Sequence, residues 1–262
     1  MAPYATLTVR TDERGIVYVA LNRLEKRNAL SAAMIADLTD LALTLGASRA
    51  TRAVVLSGAG AVFCAGGDLG WMKAQIAADR AGRMQAARDL ALMLQALNEM
   101  PVPLIGRLHG GAFGGGVGLA CICDVAVAAI GTKFGFTETR LGLIPATIGP
   151  YVVARIGEGP ARRVFMSGRI FDADEACALG IVAKVAADSD LDAAVETEVA
   201  PYLSAAPGAV AAAKAFARLL GPPIDAQVIE QSIQSLADIW EGEEAAHGIA
   251  AFLAGQRARW MR

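Results

Sequence analysis

The spacing of hydrophobic positions changes several times along the chain. Thr6–Arg10 and Ile16–Leu21 alternate or cluster as strands around a turn at Asp12–Gly15. Ser31 then caps a stretch of helical spacing that runs to about Arg49. Ala53–Ser57 is a short continuous apolar run, the pattern of a strand covered on both faces. The loop GAGAVFCAGGDLG follows it. Helical spacing fills about Ala74–Met100 with a break expected near Gly82, and PVPLIGRL begins a strand after a proline stop. A run of glycines and a short helix lead into the strand Asp124–Ala129. Gly142–Pro150 reads as a loop before further helix, and Val182–Val185 as a late strand. From about Leu191 the pattern is almost wholly helical, with breaks expected at Pro201, Pro207 and Gly221–Pro223.

This order of elements implies an α/β fold with mainly parallel strands. No internal repeat and no low-complexity linker is visible. At 262 residues the chain suits one large domain or a domain with a helical appendage, and 55% hydrophobic content excludes a disordered chain. The formal net charge is −2, so no basic excess suggests nucleic acid, and an anionic ligand must be held by local groups. The cysteines, Cys64, Cys121, Cys123 and Cys177, form no C-x-x-C pair, as expected of buried, reduced thiols in a cytoplasmic protein. Charges at Arg10, Asp12, Glu13 and Arg14 argue against a signal peptide. No stretch of about 20 uncharged apolar residues predicts a membrane span.

Several common chemistries lack their residues. The only histidines are His109 and His247, G-x-S-x-G is absent, and no His/Cys/carboxylate cluster has metal spacing. G-x-G-x-x-G and the phosphate-binding G-x-x-x-x-G-K-[ST] are also missing. Two glycine loops remain, FCAGGDL (Phe63–Leu69) and FGGGVGL (Phe113–Leu119), each between a strand and a helix. The first amides of a helix have no intrahelical partner and carry the positive end of its dipole. With no side chains in the way, two such loops facing one point would give two donors to one oxygen, an oxyanion hole. Close helix packing is the alternative use of the same glycines. In FGFTETRLGLIP (Phe134–Pro145), Glu138 lies among apolar and small residues. In an apolar pocket its pKa would rise towards a base's working range; as an exposed helix-start residue it would not.

With these segments in order, the chain resembles the crotonase, or enoyl-CoA hydratase/isomerase, superfamily over nearly its whole length. LNRLEKRNALS (Leu21–Ser31) resembles the family's N-terminal signature, and FCAGGDL its first oxyanion loop. HGGAFGGGVGLACICDVAVAA resembles the second, FGFTETRLGLIP the catalytic-glutamate segment, and EEAAHGIAAFLAGQRARW (Glu243–Trp260) the C-terminal ending. The resemblance implies a right-handed spiral of β-β-α turns over residues 1–200, for acyl-CoA binding and catalysis. A helical region over 201–262 would assemble trimers or pairs of trimers. It implies an acyl-CoA substrate with no separate cofactor, coenzyme A entering as part of the substrate. The thioester oxygen would accept from the amides of Gly67 and Gly115, with Glu138 as acid/base. Ala65, Asp68, Leu69, Gly70 and Gly118 would line the substrate site. Lys26 and Arg27, with Arg23 behind them, would meet the CoA phosphates.

The chain departs from the hydratase pattern at Gly118, where the family's second glutamate would fall. One carboxylate suffices to move a proton between C2 and C4, which is isomerisation. Yet GGGVGLACICD, DLGWMK and ETRLGLIPATIGPYV resemble a hydratase branch for branched or carboxylated enoyl-CoAs, typified by methylglutaconyl-CoA hydratase. Hydration of a 2-enoyl-CoA is therefore the expected reaction. A Δ3,Δ2-enoyl-CoA isomerase and a non-catalytic acyl-CoA-binding subunit are the alternatives. A carboxylated acyl group would call for a cation, with Arg140, Lys73 and Arg155 as candidates. Trp71 and Met72 suit an apolar wall, Tyr151 a water near Glu138, and His109 a packed turn.

Overall fold

The structure, a computed structural model, describes residues 4–261. The first two apolar segments form an antiparallel pair, β1 (Leu7–Thr11) and β2 (Ile16–Leu21). Asp12 closes their turn by accepting from the Arg14 and Ile16 amides. Helix α1 (Ala32–Ala47) starts at Ser31, whose hydroxyl accepts from the Met34 amide. There follow β3 (Ala53–Gly58), α2 (Leu69–Ala77), α3 (Arg80–Glu99), β4 (Leu104–Leu108), β5 (Gly111–Phe113) and α4 (Gly115–Ile122). Next come β6 (Val125–Ala129), β7 (Lys133–Gly135), α5 (Gly149–Ile156), α6 (Glu158–Phe165), β8 (Ile170–Asp172), α7 (Ala173–Ala178) and β9 (Lys184–Ala186). The chain ends in α8 (Leu191–Ser204), α9 (Pro207–Leu220), α10 (Ala226–Trp240) and α11 (Glu243–Leu253).

Six strands form one sheet in the order β1-β2-β3-β4-β6-β9, parallel from β2 onwards. The inner strands β2, β3 and β6 read as largely apolar runs because both faces are covered. Val55, Ile105 and Val127 pack under Leu191, Val195 and Val199 of α8. Val54, Leu56 and Leu104 face the opposite layer with Leu38 and Leu41 of α1 and Leu94 and Leu97 of α3.

A second, three-stranded sheet has the order β5-β7-β8. Single bridges extend its layer backwards along the chain, Cys64 to Ala112 and Leu30 to Gly67. Each turn therefore runs from the large sheet, through a short extended segment in the second layer, into a helix. The expected spiral of β-β-α turns is the observed fold. Its consequence is that segments 64–67, 111–115 and 133–138 stack, one turn on the next.

The structure differs from the sequence expectations in several places. Helix α2 begins at Leu69, not Ala74, because the Asp68 carboxylate accepts from the Gly70 and Trp71 amides. The break near Gly82 falls at Ala78–Asp79, where Asp79 caps α3. Pro201 does not end α8; it sits in the last turn of a helix whose buried face holds it on the sheet. Strands β5, β7 and β8 have three residues each, too few for a period to register. The expected division at 200/201 falls inside α8.

Candidate active site

The three stacked turns open onto a cavity of about 420 Å³. The first turn presents Ala65–Gly70, the second Phe113–Gly115, and the third Thr137 and Glu138. Met72, Leu143, Ile144, Ile148 and Trp240 are among its apolar walls.

Each glycine of the triplet makes a different close approach. Gly114 has φ +49°, and a Cβ there would stand 2.9 Å from Glu138 Oε1. A Cβ on Gly115 would meet Leu30 Cδ1 at 2.6 Å, and one on Gly116 the Cys64 carbonyl at 2.6 Å. Gly116 faces fixed backbone and Gly114 has a left-handed φ, so neither accepts a Cβ without the turns moving apart, whereas at Gly115 the Leu30 side chain would have to shift. The packing that excludes side chains also brings the start of α4 to the cavity. Among the described residues, the Gly67 and Gly115 amides donate to no backbone carbonyl.

The first loop is held from beneath. The Leu30 amide donates to Gly66 O at 2.7 Å, and the Asp68 amide to Leu30 O at 3.0 Å, which fixes the Gly67 peptide between two bonds. Besides capping α2, Asp68 accepts from Arg23 Nη1 at 3.0 Å. Its carboxylate is kept ionised: the capping amides and the Arg23 guanidinium outweigh its burial and hold its pKa below the usual value. Asp68 thus lines the cavity with its side chain already committed, and Arg23 is committed with it rather than free for a phosphate. Lys26 and Arg27 are exposed on the same wall.

Glu138 has no such neighbours. It opens a one-turn 3-10 helix, Glu138–Leu141, and its buried Oε2 finds no hydrogen-bond partner. Burial pushes its pKa up to about 7, because the charged form loses its hydration without gaining a cation. A carboxyl that is unpartnered, faces a cavity and titrates near neutrality has the properties required of a general acid/base.

The sequence matches the enoyl-CoA hydratase/isomerase family over residues 11–262. The chain belongs to that family. It is similar to an enoyl-CoA hydratase of Alternaria alternata, with 34% identity over 94% of this chain and 80% of the relative. It is similar to human mitochondrial methylglutaconyl-CoA hydratase, with 33% identity over 66% of this chain and 51% of that protein. A solved enoyl-CoA hydratase/isomerase from Marinobacter aquaeolei superposes with a TM-score of 0.78 at 35% identity, covering 97% and 98% of the two chains.

In this member of the hydratase/isomerase family, several expected site residues lie elsewhere. Gly118 is not on the cavity wall. A Cβ there would stand 2.5 Å from Ile148 Cγ2, and it is Ile148 that forms the wall. Tyr151 cannot hold a water near Glu138, since it is buried away from the cavity with its hydroxyl on the Ala91 carbonyl. Arg155 reaches the far end of α4, where it donates to the carbonyls of Cys121, Cys123 and Asp124. Lys73 and Arg140 are exposed and off the wall. His109 packs at its turn, with Nε2 2.8 Å from the Gly60 carbonyl.

Two features escaped the sequence reading. Asn28 is fully buried at φ +55°; its amide nitrogen donates to Ala59 O and Val62 O, and its Oδ1 accepts from the Arg23 amide. It ties the 23–28 loop to the approach of the first glycine loop. A polar residue between Arg27 and Ala29 was the only visible signal. Leu236, Trp240 and Phe252, from α10 and α11, line the cavity. Nothing local could connect them to a loop more than a hundred residues earlier.

Proposed function

We propose that the chain adds water across the double bond of a 2-enoyl-CoA thioester. The observation that carries this is Glu138, among the described residues the one carboxyl inside the cavity with an unpartnered buried oxygen, stacked beside the start of α4. In this reading the thioester oxygen accepts from the Gly67 and Gly115 amides, and Lys26 and Arg27 meet the CoA phosphates. The Glu138 carboxylate takes a proton from water as the water oxygen bonds to C3. Charge moves onto the thioester oxygen, where each donor of this kind is typically worth about 3 kcal/mol in the transition state. Glu138 then returns the proton to C2, so the carboxylate is regenerated and water is the only atom source added. Coenzyme A enters as part of the substrate. Assembly as a trimer or a pair of trimers belongs to the same proposal.

One observation favours a second reaction on the same site. Ile148 fills the space above Gly118, so a single carboxyl must do all the proton work. That suffices to carry a proton between C4 and C2 of a 3-enoyl-CoA. The two reactions move ultraviolet absorbance in opposite directions. Hydration removes the conjugated enoyl thioester, whereas isomerisation creates it without a hydroxyacyl product. Glu138→Gln keeps the shape and removes the base. It should lower turnover by about 10²-fold or more while acyl-CoA binding persists. Unchanged turnover in that variant, or none by the parent protein on any enoyl-CoA, would reject the proposal.

A further inference from the structure

Resting on the hydration reading, the cavity wall narrows the substrate. Among the described residues, the charged side chains on that wall are Glu25, Lys26, Arg27, Asp68 and Glu138. Glu25, Lys26 and Arg27 are exposed and belong to the loop assigned to coenzyme A. Asp68 is neutralised by Arg23 and by two amides. Inside, the walls are hydrocarbon and aromatic, with Met72, Leu143, Ile144, Ile148, Trp240 and Phe252. The cations that could have served a carboxylated acyl group are elsewhere: Arg155 is bound to the end of α4, and Arg140 and Lys73 are exposed and not part of the wall.

A second carboxylate brought into the apolar part of this space, beyond the exposed Lys26 and Arg27, would meet no free cation among the described residues and would share that space with Glu138. Desolvating an unpaired carboxylate is strongly unfavourable. Its charge would also drive Glu138 further towards its protonated form, removing the base. We infer that the acyl group is an uncharged hydrocarbon enoyl group, straight or branched, and that this site rejects enoyl thioesters ending in a carboxylate. This separates the chain from what the human relative's name states, although the two share local sequence.

The test compares a matched pair on the unmodified protein: 3-methyl-2-butenoyl-CoA, and the same acyl group extended by a terminal carboxylate. Hydration kcat/KM should favour the uncharged thioester by about 10²-fold or more. Equal or faster turnover of the carboxylated one overturns the inference and leaves the hydratase reading standing. Where neither turns over, the hydratase reading fails, and calorimetry with unreactive butyryl-CoA and its terminally carboxylated counterpart still decides the inference. Tighter binding of butyryl-CoA supports it, and equal or weaker binding overturns it. A cation supplied by a second copy of the chain would appear as the overturning result.

Discussion

At the scale of one residue, the site works against the stability of the fold. Glu138 holds its proton up to about pH 7 in the folded chain, against an ordinary value of 4.5. The folded state therefore binds more protons than the unfolded state between those limits. Stability associated with the neutral carboxyl is fully present below the unfolded pKa and is lost as pH rises through about 7. Above that range, the buried charge costs on the order of 3 kcal/mol. Glutamine carries no such charge. Glu138→Gln should therefore melt higher than the parent at about pH 8, with the advantage shrinking to near zero towards pH 4.5. An advantage independent of pH, read by thermal unfolding across the range, would contradict this account. In the proposed hydration the carboxylate is the active form, so kcat/KM should rise with pH through about 7.

At the scale of elements, α4 is positioned at both ends. Its N-terminus is set against the neighbouring turns by three glycines, and its last carbonyls are satisfied by the Arg155 guanidinium from α5. Between these ends Gly118 meets Ile148, and this contact decides whether a second side chain fits. Glycine to alanine inside a helix ordinarily gains about 1 kcal/mol. Here Gly118→Ala should instead destabilise by about 1–3 kcal/mol, because the new methyl lands on Ile148. Ile148→Ala alone should cost about 2–4 kcal/mol through the cavity it leaves. Together the two changes should cost less than their sum, and a double-mutant cycle in urea would measure that coupling. Additive costs would mean that the contact carries no energy.

At the scale of the molecule, the large sheet is a frame that sets the pitch at which successive turns stack. Helices α10 and α11 close the cavity, so the C-terminal region contributes walls as well as surface. Helix α9 behaves differently. It buries no residue, and Phe216, Leu219 and Leu220 are 60%, 77% and 72% exposed. An apolar stripe of that size on one helix suits contact with another copy of the chain, in line with the proposed trimer. Charged substitutions there, Phe216→Glu with Leu219→Glu, should reduce the mass found by sedimentation while leaving the fold intact by circular dichroism. A parent protein that sediments as a monomer would remove this role from α9.

The sequence by itself determined the alternation of strands and helices, the loops that carry the glycines, and the family. These features are written in local spacing: an apolar run buried on both faces, a capping side chain, a glycine where no Cβ fits. Glu138 could be singled out because a lone carboxylate stood among apolar neighbours. Only the tertiary structure decided which groups were free to act. Asp68 and Arg23 cancel one another, Arg155 serves a helix end, and Ile148 takes the wall expected of Gly118. Those outcomes depend on contacts between residues 30 or more positions apart, and no local pattern encodes which partner a long side chain will find. The same holds for the cavity, whose lining comes from turns spread between Glu25 and Ile148 and from helices near the end of the chain.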